Sequence, residues 1–80
     1  MKMNNLERYN KVFCETLQIE EEQLAGLEYQ GVKLWDSVGH MTLMAALEDA
    51  FDIMMDTDDI IDFSSYEKGK EILKKYEVEI

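Results

Sequence analysis

The chain has 80 residues, and 46% of them are hydrophobic, which suffices for one packed domain but leaves little room for a deep catalytic cleft. Eighteen Asp and Glu against eight Lys and Arg give a net charge of −10. This charge excludes nucleic acid as an expected partner, argues against insertion into anionic membranes, and favours basic protein surfaces. With one cysteine, Cys14, and no secretory or membrane-spanning segment, the expected location is the cytoplasm.

The first predicted element is an amphipathic helix. Its apolar residues recur at three- and four-residue spacing, namely Met3, Leu6, Tyr9, Phe13 and Leu17. Cys14 lies at the edge of this stripe, where a free cysteine typically packs as a small hydrophobic residue. The periodicity then fades, so residues 18–35 predict a long loop, with a short helical turn around Leu24 and Leu27.

The second predicted helix begins at Asp36-Ser37 and runs to about Phe51, with Asp36 as its N-cap. On a helical wheel one side faces the core, with His40 and Met41 beside it. The core residues are Leu43, Met44, Leu47 and Phe51. The opposite side predicts a mildly apolar exposed strip, which is typical of partner surfaces. This strip contains Val38, Thr42, Ala45 and Asp49.

The C-terminal part predicts two more helices. Thr57 is the expected cap of a short helix that ends at Asp62, and Ser64–Glu67 match a capping box that opens the last helix. The inward residues of this last helix are predicted to be Tyr66, Ile72, Leu73 and Tyr76. The fold class is therefore all-α, a four-helix bundle with a long first loop and a short third helix. Residues 1–80 are interpreted as a single domain.

Two groups of polar residues suggest chemistry, and neither pattern fits. Ser37 and His40 could belong to a hydrolase, but a nucleophile elbow needs a glycine where Trp35 stands. His40 is therefore interpreted as a packed or flanking residue. A calcium loop beginning at Asp56 would need a glycine where Ile61 stands, and the adjacent Ile60 and Ile61 are expected in the core instead. The sequence predicts no catalytic residue and no metal ligand, and we do not expect an enzyme.

Ser37 suits another kind of chemistry. A serine at an exposed helix start can carry a long flexible group, and the free N–H groups and dipole there favour an attached phosphate. Simple capping of the helix by Asp36 and Ser37 is the alternative that these two residues alone leave open.

The segment Trp35–Ile53 resembles the acyl carrier protein family. Asp36-Ser37-Val38 is similar to the family's Asp-Ser-Leu signature, and the helix that follows ends in acidic residues and a Gly-Ile-like turn at Phe51-Asp52-Ile53. Leu17-Gln18-Ile19 looks like the family's Leu-Gly-Val element. Since the last two helices also fall where the family has its third and fourth, the resemblance covers nearly the full chain.

The resemblance implies a four-helix bundle of the acyl-carrier type, with 4'-phosphopantetheine attached to Ser37. A phosphopantetheinyl transferase would add this arm from coenzyme A with magnesium, and Asp36 would present Ser37 to that enzyme. The arm would carry acyl groups as thioesters between acyl-loading and acyl-accepting enzymes, whose basic docking surfaces would contact the second helix. The residues expected to be contacted are Val38, Thr42, Ala45, Glu48 and Asp49. A monomer without catalytic activity is expected.

Four positions depart from the fatty-acid type of carrier. Trp35 replaces a small residue, Val38 replaces leucine, and Gly39 and Thr42 stand where acidic residues are frequent. These departures indicate a specialised stand-alone carrier, such as one in a secondary or surface-glycan pathway. Two alternatives stay open: an aminoacyl carrier of the D-alanyl or peptidyl type, and a non-carrier acidic module that docks on a basic partner with Ser37 unmodified.

Overall fold

The computed structural model describes residues 3–80, and these contain four α-helices. The helices are α1 (Asn5–Leu17), α2 (Ser37–Phe51), α3 (Thr57–Asp62) and α4 (Tyr66–Lys74), and a single 3₁₀ turn lies at Glu21–Gln23. This part of the chain has no β-strand and no helix long and apolar enough to cross a bilayer. The predictions of an all-α fold, a long first loop and a short third helix are confirmed.

Helix α1 begins with a capping box that the sequence analysis did not identify. The Asn4 side chain accepts a hydrogen bond from the Glu7 N–H at 2.8 Å, and the Glu7 carboxylate accepts one from the Asn4 N–H at 3.3 Å. The predicted apolar stripe is buried from Tyr9 onward, whereas Met3 and Leu6 stay exposed. Helix α1 therefore packs mainly through its C-terminal two thirds.

The long loop between α1 and α2 is held in place at several points. Leu24 and Leu27 are buried, as predicted, and the 3₁₀ turn lies just before them. The Tyr29 N–H donates to the Ser64 carbonyl and the Tyr66 N–H donates to the Leu27 carbonyl, both at 2.9 Å. These bonds join the loop to the start of α4, so the loop forms one wall of the bundle.

An aromatic cluster fills the centre of the bundle. The Phe13 ring lies 4.9 Å from the Tyr9 ring and 5.3 Å from the Tyr66 ring, and Trp35 meets it edge-on at 5.5 Å. Such tilted and edge-to-face pairs are favoured by the ring quadrupoles. The other buried apolar residues are Leu17, Leu24, Leu27, Leu43, Met44, Leu47, Met55, Phe63, Ile72, Leu73 and Val78.

The start of α4 differs from the prediction by one residue. The capping box expected at Ser64–Glu67 is absent, because Ser65 is the N-cap and its hydroxyl accepts from the Lys68 N–H at 3.0 Å. The Ser64 carbonyl is bound to the Tyr29 N–H of the long loop, so the helix begins after it. The prediction placed the cap too early because this loop contact is distant in sequence.

Two other helix ends also differ. The N-cap of α3 is Asp56, not Thr57, which is the first residue of the helix. Helix α4 ends at Lys74, two residues before Tyr76, although Tyr76 is half-buried and packs on the core as predicted.

A buried carboxylate joins α3 to the end of α4. Asp59 is 5% exposed and accepts hydrogen bonds from the Lys75 ammonium at 2.5 Å and from the Tyr76 hydroxyl. The Tyr76 oxygen in turn accepts from the Asp56 N–H at 2.9 Å. The bonds from Lys75 and then Tyr76 hold the pKa of Asp59 below its ordinary value of 3.8.

This network gives a pH-dependent prediction. Because the folded pKa of Asp59 is depressed, its contribution to stability is present above about pH 4 and is lost as the pH falls through the lower folded value. Asp59→Asn is therefore expected to be less stable than the native protein at pH 7, by a margin that narrows below about pH 4. Urea unfolding across this range measures the margin, with exposed Asp58→Asn as control. A margin that is independent of pH would contradict the network.

Candidate functional site

Ser37 is the first residue of α2, and its side chain is exposed. Asp36 precedes it in an extended conformation, and the Asp36 carboxylate accepts from the Gly39 N–H at 2.8 Å. The Asp36 carbonyl accepts from the His40 N–H at 2.7 Å. Asp36 is therefore the N-cap, as predicted, and it fixes the start of the helix that presents the Ser37 hydroxyl to solvent.

A groove of about 300 Å³ opens beside Ser37, between α2 and α3. The long loop and the segment after α3 complete its walls. The lining residues are Tyr29, Ser37, His40, Met41, Ile60, Ile61, Phe63 and Ser64. None of them is Asp, Glu, Lys or Arg, so the groove is an apolar trough edged by hydroxyl groups, suited to an uncharged group.

His40 lies in the wall of this groove with both ring nitrogens engaged. The Trp35 indole N–H donates to Nδ1 at 2.9 Å, and Nε2 lies 2.8 Å from the Ile60 carbonyl oxygen. Because an indole N–H only donates and a carbonyl only accepts, the ring is the neutral Nε2–H tautomer. Neither nitrogen is left to take a proton from Ser37, as expected for a packed residue.

The strip predicted on α2 is exposed. Val38 is 74% exposed, and Thr42, Ala45 and Asp49 also face solvent. Glu48 behaves differently from these four residues. It is half-buried, and its carboxylate accepts from the Met55 N–H at 2.8 Å. Part of its hydrogen-bonding capacity is thus used to hold the turn between α2 and α3.

Two exposed apolar side chains that line the groove were missed. Met41 is 56% exposed and Ile61 is 71% exposed. Met41 was expected beside the core and Ile61 within it, and both predictions were wrong. Each follows an inward-facing residue, and the next position on a helix is rotated by about 100°. The sequence offers no local signal for this difference, because the adjacent apolar residues Leu43 and Met44 are both buried.

The region around Ser37 carries a negative charge. Residues 34–67 contain nine Asp and Glu and no Lys or Arg. Within residues 3–80, three cations from outside this segment contact it: Lys75 is bound to Asp59, Lys70 pairs with Glu67, and Arg8 donates to the Ala50 carbonyl. This face therefore attracts basic surfaces.

A reactive cysteine and a metal site are less well supported than a role for Ser37. Burial, followed by the nearby Glu21, Glu20 and Glu15, raises the pKa of the Cys14 thiol, which disfavours the reactive thiolate. Across residues 3–80, no three His, Cys, Asp or Glu side chains are grouped so that they could hold a metal ion.

The site thus combines an exposed serine at a capped helix start, an apolar groove beside it and an exposed strip along the same helix. Comparisons with models of known protein families, with curated protein sequences and with solved structures find no match to this chain. What the site does has to be argued from its own geometry and from the pattern of its sequence.

Proposed function

We propose that this protein is an acyl carrier of the four-helix acyl-carrier type, with 4'-phosphopantetheine attached to Ser37. One observation carries the proposal: the exposed Ser37 hydroxyl stands at the N-terminus of α2 and at the edge of an apolar groove. A transferase can reach such a hydroxyl, and the first-turn N–H groups and helix dipole stabilise the phosphate it attaches. The groove beside it offers an apolar shelter for an acyl chain.

Two backbone positions support the same proposal independently of Ser37. Gln18 and Asp52, the C-caps of α1 and α2, have φ of 56° and 53°, in the left-handed region. Each stands where the acyl carrier family has glycine, in its Leu-Gly-Val element and its Gly-Ile turn. Glycine enters this conformation at the lowest cost. The left-handed backbone at both positions is the conformation that the family's glycines suit, and this agreement supports the resemblance.

The lining of the groove favours an acyl cargo over an aminoacyl one. An aminoacyl thioester carries an ammonium group, which needs a carboxylate or water when it is buried. The eight lining residues include no carboxylate. An uncharged acyl chain against Ile60, Ile61 and Met41 has no such requirement.

The exposed strip of α2 suits partner enzymes with basic docking surfaces. Such contacts raise the encounter rate and weaken with salt. Val38 and Thr42, two of the departures from the fatty-acid type, lie on this strip and would change which enzymes dock. Trp35 is fully buried, so that departure changes packing instead. The altered docking residues favour a specialised carrier.

The test is attachment of the arm. Incubation with coenzyme A, magnesium and a promiscuous phosphopantetheinyl transferase is expected to add the mass of one phosphopantetheine to the native protein. Ser37→Ala is expected to gain nothing. Ser64→Ala is the matched control, because Ser64 lines the same groove and is also exposed, and it should gain the full mass.

The outcomes separate the candidate functions. No mass gain with several transferases, in a protein that circular dichroism shows to be helical, contradicts the carrier and favours an acidic module that docks on a basic partner. If the arm is attached, charging with a panel of fatty acids and amino acids distinguishes an acyl from an aminoacyl carrier. We expect thioesters with the fatty acids.

A further inference from the structure

The groove beside Ser37 has an exposed rim and a buried floor. Among its lining residues, Phe63 alone is fully buried, at 0% exposed, and His40 and Ile60 are half-buried. The rim residues are all exposed, namely Tyr29, Ser37, Met41, Ile61 and Ser64. A chain that enters the groove from Ser37 therefore meets the Phe63 ring at its deepest point.

The Phe63 ring is supported from behind by packed atoms. It stacks on the Phe13 ring with 6.1 Å between the centroids, and Phe13 is itself 0% exposed. Another edge of the ring lies against α4 at Gly69, where an added Cβ would be 2.6 Å from Phe63 Cε1. Because protein interiors are packed as densely as organic crystals, the ring cannot retreat to admit more of a chain. Phe63 therefore closes the inner end of the groove.

The side walls of the groove are also held in place. His40 of α2 donates from its Nε2–H to the Ile60 carbonyl of α3 at 2.8 Å. The Trp35 indole N–H donates to the other ring nitrogen at 2.9 Å and fixes the orientation of the imidazole. This link resists separation of α2 from α3, so the groove keeps its volume of about 300 Å³. A methylene group takes up about as much space as a water molecule, roughly 30 Å³, so about ten of them fill this volume.

We propose that Phe63 is a specificity-determining residue, which limits the acyl chain that the groove shelters to about ten carbons. This limit rests on the proposed function, since the arm on Ser37 has to bring the chain to the rim. Each methylene group that enters the groove leaves water, which stabilises the folded protein. Once the groove is full, further methylene groups stay in solvent and add no stability.

The test is a series of chain lengths on the native protein. A transferase that accepts acyl-coenzyme A attaches the arm and the acyl chain in one step, and mass spectrometry confirms the attachment. Thermal unfolding is then measured for saturated straight chains from four to sixteen carbons, in steps of one carbon. The midpoint is expected to rise on the order of 2 °C for each added carbon, because burial in an open groove is partial, and to level off near ten carbons.

Phe63→Leu assigns the limit to this residue. The smaller side chain deepens the groove, so the midpoint is expected to level off at a chain longer by on the order of one carbon. Leu24→Val is the matched control, because it removes a similar volume from a buried residue that does not line the groove. Its midpoint should level off at the native chain length. If Phe63→Leu does not fold, nuclear Overhauser effects in the native protein decide, since the terminal methyl of a ten-carbon chain should contact the Phe63 ring.

The outcomes separate the limit from the carrier function. A midpoint that is independent of chain length, or that rises steadily to sixteen carbons, would overturn the limit while the attached arm upholds the carrier. An unchanged limit in Phe63→Leu, or a terminal methyl that never contacts the Phe63 ring, would overturn the role of Phe63. If no arm is attached, the mass shows this before any unfolding is measured, and both proposals fail.

Discussion

Gly69→Ala is expected to destabilise the protein by about 2 kcal/mol, although alanine is the better helix former by about 1 kcal/mol. An added Cβ at Gly69 would lie 2.6 Å from Phe63 Cε1 and closer still to Phe63 Cζ and the Tyr9 hydroxyl. Ordinary carbon contacts are about 3.5–4.0 Å. Both rings are 0% exposed, and the Tyr9 hydroxyl donates to the Tyr66 carbonyl at 2.7 Å. Strain of about 3 kcal/mol therefore outweighs the gain in helix propensity.

Thermal unfolding measures this effect, and the midpoint is expected to fall by on the order of 10 °C. Lys68→Ala is the control in the same helix, because Lys68 is exposed and its alanine variant should unfold within a few degrees of the native protein. Phe63→Leu tests the mechanism, since a smaller side chain makes room for the new methyl group. The double variant should lose less stability than the sum of the two single losses. A Gly69→Ala protein more stable than the native one would mean that these rings do not pack on α4.

Sequence patterns predicted a helix boundary correctly where the residues that determine it lie close together in the chain. Helix α2 begins and ends where they predict, because the Asp36 cap and the apolar spacing up to Phe51 lie within the helix itself. The start of α4 was misplaced because it depends on the Ser64 carbonyl, whose partner Tyr29 comes from the long loop. Such a pairing exists only after the chain has folded.

Some features of the candidate site could likewise be predicted from the sequence, whereas others could not. Capping and exposure of Ser37 follow from the first turn of α2 and were predictable. The groove was not predictable, because it forms only when the loop, α2 and α3 bring Tyr29, His40 and Ile60 together. The role of Trp35 in fixing the His40 ring was likewise hidden, since periodicity indicates burial but does not reveal hydrogen-bond partners.

Gly39 shows how a family pattern can mislead. By its resemblance to the fatty-acid type of carrier, this position was interpreted as a departure from a frequent acidic residue, and hence as a sign of a specialised carrier. In the structure an added Cβ would lie 2.9 Å from the Leu34 carbonyl carbon and closer still to its oxygen. The close approach of the loop to the helix start requires glycine here, so the absent carboxylate follows from packing.

Gly39→Ala is therefore expected to destabilise the protein by about 3 kcal/mol and, if Ser37 bears the proposed arm, to slow its attachment. The clash is with a main-chain oxygen. The clash can be relieved in two ways. Either the loop moves away from α2, which would also displace the fully buried Trp35 next to Leu34, or the first turn of α2 unwinds. Unwinding breaks the hydrogen bond from the Gly39 N–H to Asp36. Both movements displace the helix start that presents Ser37.

Urea unfolding of Gly39→Ala measures the loss, with exposed Val38→Ala as the neighbouring control for stability. Leu34→Ala distinguishes this clash from the one at Gly69. Truncating the Leu34 side chain leaves its carbonyl in place, so the two effects should add, whereas the Gly69 and Phe63 variants should not. A Gly39→Ala protein with native stability would mean that the loop lies farther from α2. Gly39→Asp should be equally damaging, because restoring the acid typical of fatty-acid carriers also adds the Cβ that the Leu34 carbonyl excludes.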